Sequence, residues 1–170
     1  NMEGASAVAE DCGGIAIECD VTSSDSAVAA VAVAREANGI AQLLINCAGI
    51  GTPGRIVSRS GPLPLEDYEA VIKVNLIGTF NMIRLAAADM MAMEPNGEGE
   101  RGVIVNTGST SAYEGQIGQT AYAASKGGVV GMAIALAREF ARDGIRVMTI
   151  SPGPFDTPLF GAMPANAHQR

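Results

Sequence analysis

The sequence predicts an α/β fold, a single domain built on a parallel sheet layered with helices. Two observations carry that expectation. β-rich runs alternate with helical runs along the chain, an order that right-handed crossovers turn into a parallel sheet. The apolar share is also large, 48% of 170 residues against 17% charged, which supplies a buried core and excludes disorder.

The elements follow in chain order. Residues 15–21 (IAIECDV) form a short β-rich run. Thr22, Ser23, Ser24 and Asp25 are N-cap residues, and the Ala- and Val-rich stretch 26–37 reads as a helix stopped by Asn38 and Gly39. Leu43–Asn46 is a second strand, unbroken in its apolar character as a strand covered on both faces must be. Residues 49–64 are rich in Gly, Pro and Ser and form one long loop. From Leu65 to about Met93, apolar residues recur at helical spacing (Tyr68, Val71, Ile72, Leu76, Phe80, Ile83), giving a long helix. After a polar turn at 96–100 come a third strand at 103–106, a helix over about 120–142 ending at Asp143 and Gly144, and a fourth strand, Ile145–Ile150. No internal repeat or low-complexity segment interrupts this order.

Charge narrows the partners. Eleven Lys and Arg against eighteen Asp and Glu leave a formal charge of −7, with no basic run, so nucleic acid and anionic membranes are not expected partners. The longest uncharged stretch, 37–54, carries Asn38, Gln42, Asn46, Pro53 and several glycines, and no membrane span is expected. Cys12, Cys19 and Cys47 form no CxxC pair and are expected to be buried free thiols in a reducing compartment. His168, the only histidine, stands at the C-terminal end, so no zinc site on imidazoles, and no metal, is expected. Residues 1–10 lack the basic start and apolar core of a signal peptide. A cytoplasmic location is expected, or the mitochondrial matrix in a eukaryote.

Parallel sheets of this kind bind ligands beyond the carboxyl ends of their strands. Those ends are polar or Gly-rich here: Asp20; Asn46, Cys47, Ala48 and Gly49; Asn106 to Ser111; and Ser151, Pro152, Gly153 and Pro154. Gly49, Gly51 and Gly54 match G-x-G-x-x-G, but residues 55–64 carry Pro62 and Pro64 and no helical period. Without a helix N-terminus to hold a pyrophosphate, the glycines read as a flexible loop. Tyr122 and Lys126, four residues apart, share one helix face, and Ser109 stands at the mouth of the preceding strand. A lysine ammonium favours the phenolate of a neighbouring tyrosine, and a serine hydroxyl can hold a carbonyl or alcohol oxygen. Such a trio can deprotonate an alcohol while hydride leaves its carbon, or run the reverse. The spacing alone also fits a core tyrosine and a snorkelling lysine; the other strand-end motifs favour chemistry. A serine hydrolase is disfavoured, because Ser109 has no Gly-x-Ser-x-Gly setting.

Asn46-Cys47-Ala48-Gly49, Ser109, Tyr122-Ala123-Ala124-Ser125-Lys126 and Pro152-Gly153, in that order, resemble the signature of the short-chain dehydrogenase/reductase family, and Asn75 matches its helix-borne catalytic asparagine. Within the family, Ile-Val-Asn-Thr-Gly-Ser, Tyr-Glu-Gly-Gln and Phe155-Asp156-Thr157-Pro158-Leu159 are closest to the type II 3-hydroxyacyl-CoA dehydrogenases. The resemblance implies a Rossmann-like doubly wound sheet. It implies Tyr122 as acid/base, Lys126 as its activator and a ligand of the nicotinamide ribose, Ser109 as the holder of the substrate oxygen, and Asn75 as the anchor of a water relay. Asp20 and Val21 would meet the adenine, and Asn46, Cys47, Ala48 and Gly49 would run along the cofactor. Pro152, Gly153, Phe155 and Thr157 would contact its nicotinamide half, and Gln116 would lie near the substrate.

The implied reaction is NAD-dependent interconversion of a secondary alcohol and a ketone, 3-hydroxyacyl-CoA and 3-oxoacyl-CoA, with NADP not excluded. The alternatives are an NADPH-dependent 3-oxoacyl carrier-protein reductase and a non-catalytic nucleotide-binding relative. Against the family pattern the chain lacks the first βαβ unit, with its glycine-rich turn, and the last strand. Small residues on the last helix (Gly127, Gly128, Gly131, Ala133, Ala135, Ala137) and the Ala- and Met-rich end of the 65–93 helix imply a homodimer or homotetramer. The Pro-rich, apolar segment 152–170 reads as a lid over bound cofactor and acyl chain, with a linker to the family's last strand as the alternative.

Overall fold

The computed structural model describes residues 1–155. Its centre is a parallel sheet of three strands, β1 (Leu43–Asn46), β4 (Gly102–Thr107) and β5 (Ile145–Ile150), in that spatial order. Leu43 to Asn46 pair with Val103 to Asn106, and Gly102 to Thr107 pair with Ile145 to Ile150. Two short strands, β2 (Val57–Ser58) and β3 (Gly61–Pro62), make an antiparallel hairpin within the 49–64 loop. A hairpin, not a helix, therefore follows the G-x-G-x-x-G glycines.

Among the described residues, helices cover one face of the sheet. They are α4 (Thr79–Met91) and α5 (Thr120–Glu139), with α2 (Ser24–Asn38) packed against α4. The N-cap Ser23 accepts from the Ser26 N–H to start α2, and Gly39 at φ 78° ends it. Ile83, Ala87 and Met90 of α4 meet Leu136 of α5, Phe140 beyond it, and Ile104 and Ile145 of the sheet in one buried cluster. Burying large apolar side chains stabilises by roughly 1.5–3 kcal/mol each, so this cluster holds the layers together. The continuous helix Leu65–Met91 is long and apolar enough to cross a membrane, yet this cluster packs its second half on the sheet.

Four expectations need correction. Residues 15–21 form no strand, because no strand among the described residues offers their backbone a ladder. Their Asp20 N–H instead bonds the Ser26 hydroxyl at 2.9 Å. Among the described residues β1 is not covered on both faces: Leu43 and Ile45 are each 54% exposed. The cysteines are free but not buried, since Cys12 ends an exposed helix, Cys47 lines a cleft and Cys19 is half-covered. Burial still raises the Cys19 thiol pKa, helped by the charge of Asp20.

The last correction concerns the long helix. It is α3 (Leu65–Ile72), a π-helical turn (Lys73–Gly78) and α4, without a break in the chain. The extra residue per turn shifts the buried stripe, so Asn75, Gly78 and Thr79 are buried while Phe80 is 47% exposed. The Thr79 hydroxyl donates to the Asn75 carbonyl at 2.7 Å, inside the wide turn. π-turns of this kind are frequent at functional sites. The sequence reading also missed α1 (Met2–Cys12), an exposed helix capped by Asn1 and closed by Gly13 at φ 68°.

Candidate active site

A cleft of about 230 Å³ opens at the carboxyl ends of the three parallel strands. β1 delivers Cys47 and Gly49, β4 delivers Thr107 and Ser109, and β5 delivers Pro152 and Gly153. α5 contributes Tyr122 and Lys126 from its first two turns, and Gln116 and Phe155 stand at the mouth. Nine of the residues expected from sequence thus meet here: Cys47, Gly49, Ser109, Gln116, Tyr122, Lys126, Pro152, Gly153 and Phe155.

Lys126 is the buried charge of the site. Its side chain is 5% exposed and its ammonium donates to the Thr107 carbonyl at 2.7 Å. It stands 5.6 Å from the centre of the Tyr122 ring, in cation–π range of the phenol. Burial lowers its pKa, and the neighbouring Cys47 thiol pulls weakly the other way. A desolvated ammonium beside a phenol stabilises the phenolate directly, because little water screens the attraction.

Ser109 is buried and N-caps a short 3-10 turn, Thr110–Ala112, accepting from the Ser111 N–H at 3.1 Å. That bond occupies an oxygen lone pair and leaves the hydroxyl proton to reach a ligand oxygen. The turn is moored to β5's exit, where Thr110 N–H donates to the Pro152 carbonyl at 3.1 Å.

Asn75 backs the cleft from the π-turn. Its amide donates to the Ile50 carbonyl at 2.9 Å, its carbonyl oxygen accepts from the Ile50 N–H at 2.8 Å, and the amide also donates to the Ser125 hydroxyl at 3.0 Å. The loop beyond β1 is thereby clamped against α5. Gly49 has space for this approach: a Cβ there would stand 3.4 Å from Asn75 Oδ1 and 3.8 Å from Lys126 Nζ.

Four expected cofactor residues, Asp20, Val21, Asn46 and Ala48, do not line the cleft. Asp20 and Val21 form a shelf over the π-turn, with Val21 pressed so closely on Gly78 that a Cβ there would come within 2.5 Å of Val21 Cγ2. The Asn81 amide holds the Val21 carbonyl at 2.9 Å. Asp20 accepts from the Thr22 hydroxyl at 2.8 Å and the Thr22 N–H at 2.9 Å, which hold its carboxyl below the usual range, aided by Lys73. Asn46 turns into the sheet, where its amide donates to Asn106 Oδ1 at 2.9 Å. Ala48 is exposed between Cys47 and Gly49. Thr157, His168 and most of the expected lid lie outside the described residues.

Sequence reasoning placed Thr107 at a strand end and Ser125 inside the Tyr122–Lys126 motif without giving either a role, and it missed Thr79. The role of Ser125 could have been found from its position three residues after Tyr122, which brings its hydroxyl back to the Tyr122 carbonyl.

The comparisons agree with this geometry. The family model for short chain dehydrogenase matches residues 1–168. The 3-hydroxyacyl-CoA dehydrogenase type-2 of Bos taurus is 52% identical over 147 residues, covering 85% of this chain and 56% of that protein. Its Homo sapiens counterpart is 49% identical over the same length and shares. A crystal structure of 3-hydroxyacyl-CoA dehydrogenase type-2 from Mycobacterium avium superposes with a TM-score of 0.85 at 43% identity, covering 94% of this chain and 64% of that one. The chain spans a little over half the length of the curated relatives it matches. With its parallel sheet, its strand-end cleft and a family model that matches residues 1–168, the chain belongs to the short-chain dehydrogenase family.

Proposed function

We propose that the protein is an NAD(H)-dependent dehydrogenase that interconverts a secondary alcohol and a ketone, with 3-hydroxyacyl-CoA and 3-oxoacyl-CoA as the pair. The observation that carries this reading is the buried Lys126 ammonium, 5.6 Å from the Tyr122 ring, in a cleft that also holds Ser109. Folding does not require a buried charge of that kind, which costs stability. The acyl-CoA substrate rests on the similarity to the type-2 enzymes and on apolar Phe155, 67% exposed where it lines the cleft.

The residues fit a nicotinamide cofactor. Cys47 and Gly49 line the cleft with little side-chain bulk, and a Cβ at Gly153 would meet nothing within 4 Å. These residues and Lys126 would hold the nicotinamide half, and Asp20 and Val21 the adenine. When bound, that group accepts or returns a hydride. In oxidation the Ser109 hydroxyl donates to the alcohol oxygen, and the Tyr122 phenolate takes its proton as hydride leaves the carbinol carbon. The Lys126 ammonium steadies the phenolate, and Asn75 keeps the loop beyond β1 in place. Reduction reverses each movement, with the Tyr122 hydroxyl protonating the ketone oxygen.

The protein works as a homodimer or homotetramer. Gly127 and Gly131 face open space, and Ile77, Phe80 and Ile134 are exposed on the same pair of helices, surface that suits a neighbouring helix. Light scattering at micromolar concentration checks this, and a monomer contradicts it. The catalytic reading is tested by the fall in NADH absorbance when acetoacetyl-CoA is added to the full-length protein. No change in absorbance would overturn it.

A further inference from the structure

Ser125 occupies the one turn of α5 that carries both Tyr122 and Lys126, and it is fully buried. Its hydroxyl donates to the Tyr122 carbonyl at 2.8 Å and accepts from Asn75 Nδ2 at 3.0 Å. The same Asn75 side chain grips both backbone groups of Ile50. One hydroxyl therefore links the reactive turn of α5 to the π-turn and, through it, to the loop that lines the cleft.

Helix formation does not ask for this residue. Alanine has the higher helix propensity and nearly the same size, and a buried hydroxyl is unfavourable unless bonded. The contact it makes is part of a close approach between α5 and the π-turn. One turn further, a Cβ on Gly128 would stand 2.7 Å from Leu76 Cδ2. Elements packed this closely transmit small shifts, because packed interiors have little free volume.

Resting on the dehydrogenase reading above, we propose that Ser125 is a positioning residue for the reaction. Its hydroxyl locks the Asn75 turn against the Tyr122-to-Lys126 turn and so sets the placement of the phenol relative to the ammonium. Ser125 touches neither substrate nor cofactor. It acts through Asn75 and through the backbone of Tyr122.

The test compares wild type, Ser125→Ala and Ser125→Cys in the full-length protein, oxidising 3-hydroxybutyryl-CoA with NAD from neutral to alkaline pH. Loss of the hydroxyl lets the phenol and ammonium drift apart, which weakens the attraction between them. In Ser125→Ala, kcat at neutral pH should fall about tenfold and the rising limb should move about one pH unit alkaline, with activity recovering at high pH. KM for the acyl-CoA should not change. Ser125→Cys keeps the volume and a weak donor and acceptor, so it should lie between the two.

A wild-type pH profile in Ser125→Ala overturns the proposal. So does a loss that is equal at every pH and follows a lowered Tm, since that marks a structural role. If the alanine variant does not fold, the cysteine variant decides by the same readouts, and failure of both to fold overturns positioning in favour of structure. Tyr122→Phe is run alongside. If it keeps normal turnover, the dehydrogenase reading falls and takes this inference with it. If it is inactive while Ser125→Ala is unaffected, only the positioning role falls.

Discussion

Replacing Asn75 with alanine tests whether the π-turn builds the site or merely accompanies it. The wild-type side chain is 1% exposed and makes three hydrogen bonds, two to Ile50 and one to Ser125. Each such bond contributes about 1 kcal/mol net, so losing three costs about 3 kcal/mol before any cavity is counted. For a chain of this size 1 kcal/mol moves Tm by about 2–4 °C, which places the expected drop near 6–12 °C. The loop beyond β1 also loses the side chain that grips both backbone groups of Ile50, so NADH should bind more weakly as well. Thermal unfolding by circular dichroism and NADH fluorescence titration of the full-length protein read the two effects separately. A Tm within about 2 °C of wild type would mean the three bonds carry almost no net energy, against the usual value. That result would refute the clamp.

Two further outcomes follow from the same geometry. Lys126 is buried and its folded-state pKa is lowered, so above that value the unfolded state binds more protons and wild-type stability rises with pH towards the ordinary 10.5. Relative to Lys126→Met, which loses turnover, wild type should gain stability across that window in pH-dependent melts; a constant gap contradicts the burial argument. Gly78→Ala would drive a Cβ to 2.5 Å from Val21 Cγ2 and should cost about 1–3 kcal/mol. Adding Val21→Ala should recover most of it, whereas simple additivity of the two melts would show that the pair does not touch.

The reactive turn was legible because it is local. Tyr122 and Lys126 need only a helix to share a face, and strands over Leu43–Asn46 and Ile145–Ile150 need only short apolar runs bounded by polar residues. The failures trace to contacts between distant parts of the chain. The π-turn depends on Thr79 bonding back to Asn75, on Val21 seated against Gly78 and on Asn75 reaching Ile50, none of which periodicity records. A stripe drawn at uniform helical spacing therefore buried Phe80 and missed Asn75. Residues 15–21 have strand composition but no strand beside them among the described residues, and composition cannot supply a ladder partner. Asn46 looked like a cofactor residue from its place at a strand end, but its pairing with Asn106 across β1 and β4 turns the amide into the sheet. Even there the polar ladder is incomplete, since among the described residues Asn106 Nδ2 and Thr149 Oγ1 are buried without a partner.

The central claim is that Tyr122 moves the proton while hydride leaves or reaches the neighbouring carbon. It is tested most directly by Tyr122→Phe in the full-length protein, following NADH absorbance with acetoacetyl-CoA as oxidant. Phenylalanine keeps the ring and its packing and removes only the hydroxyl, so the thermal melt and NADH affinity should stay close to wild type. Turnover should fall by at least about 10²-fold, the usual contribution of a positioned acid/base. Near-normal turnover in a folded, NADH-binding Tyr122→Phe protein would contradict the account.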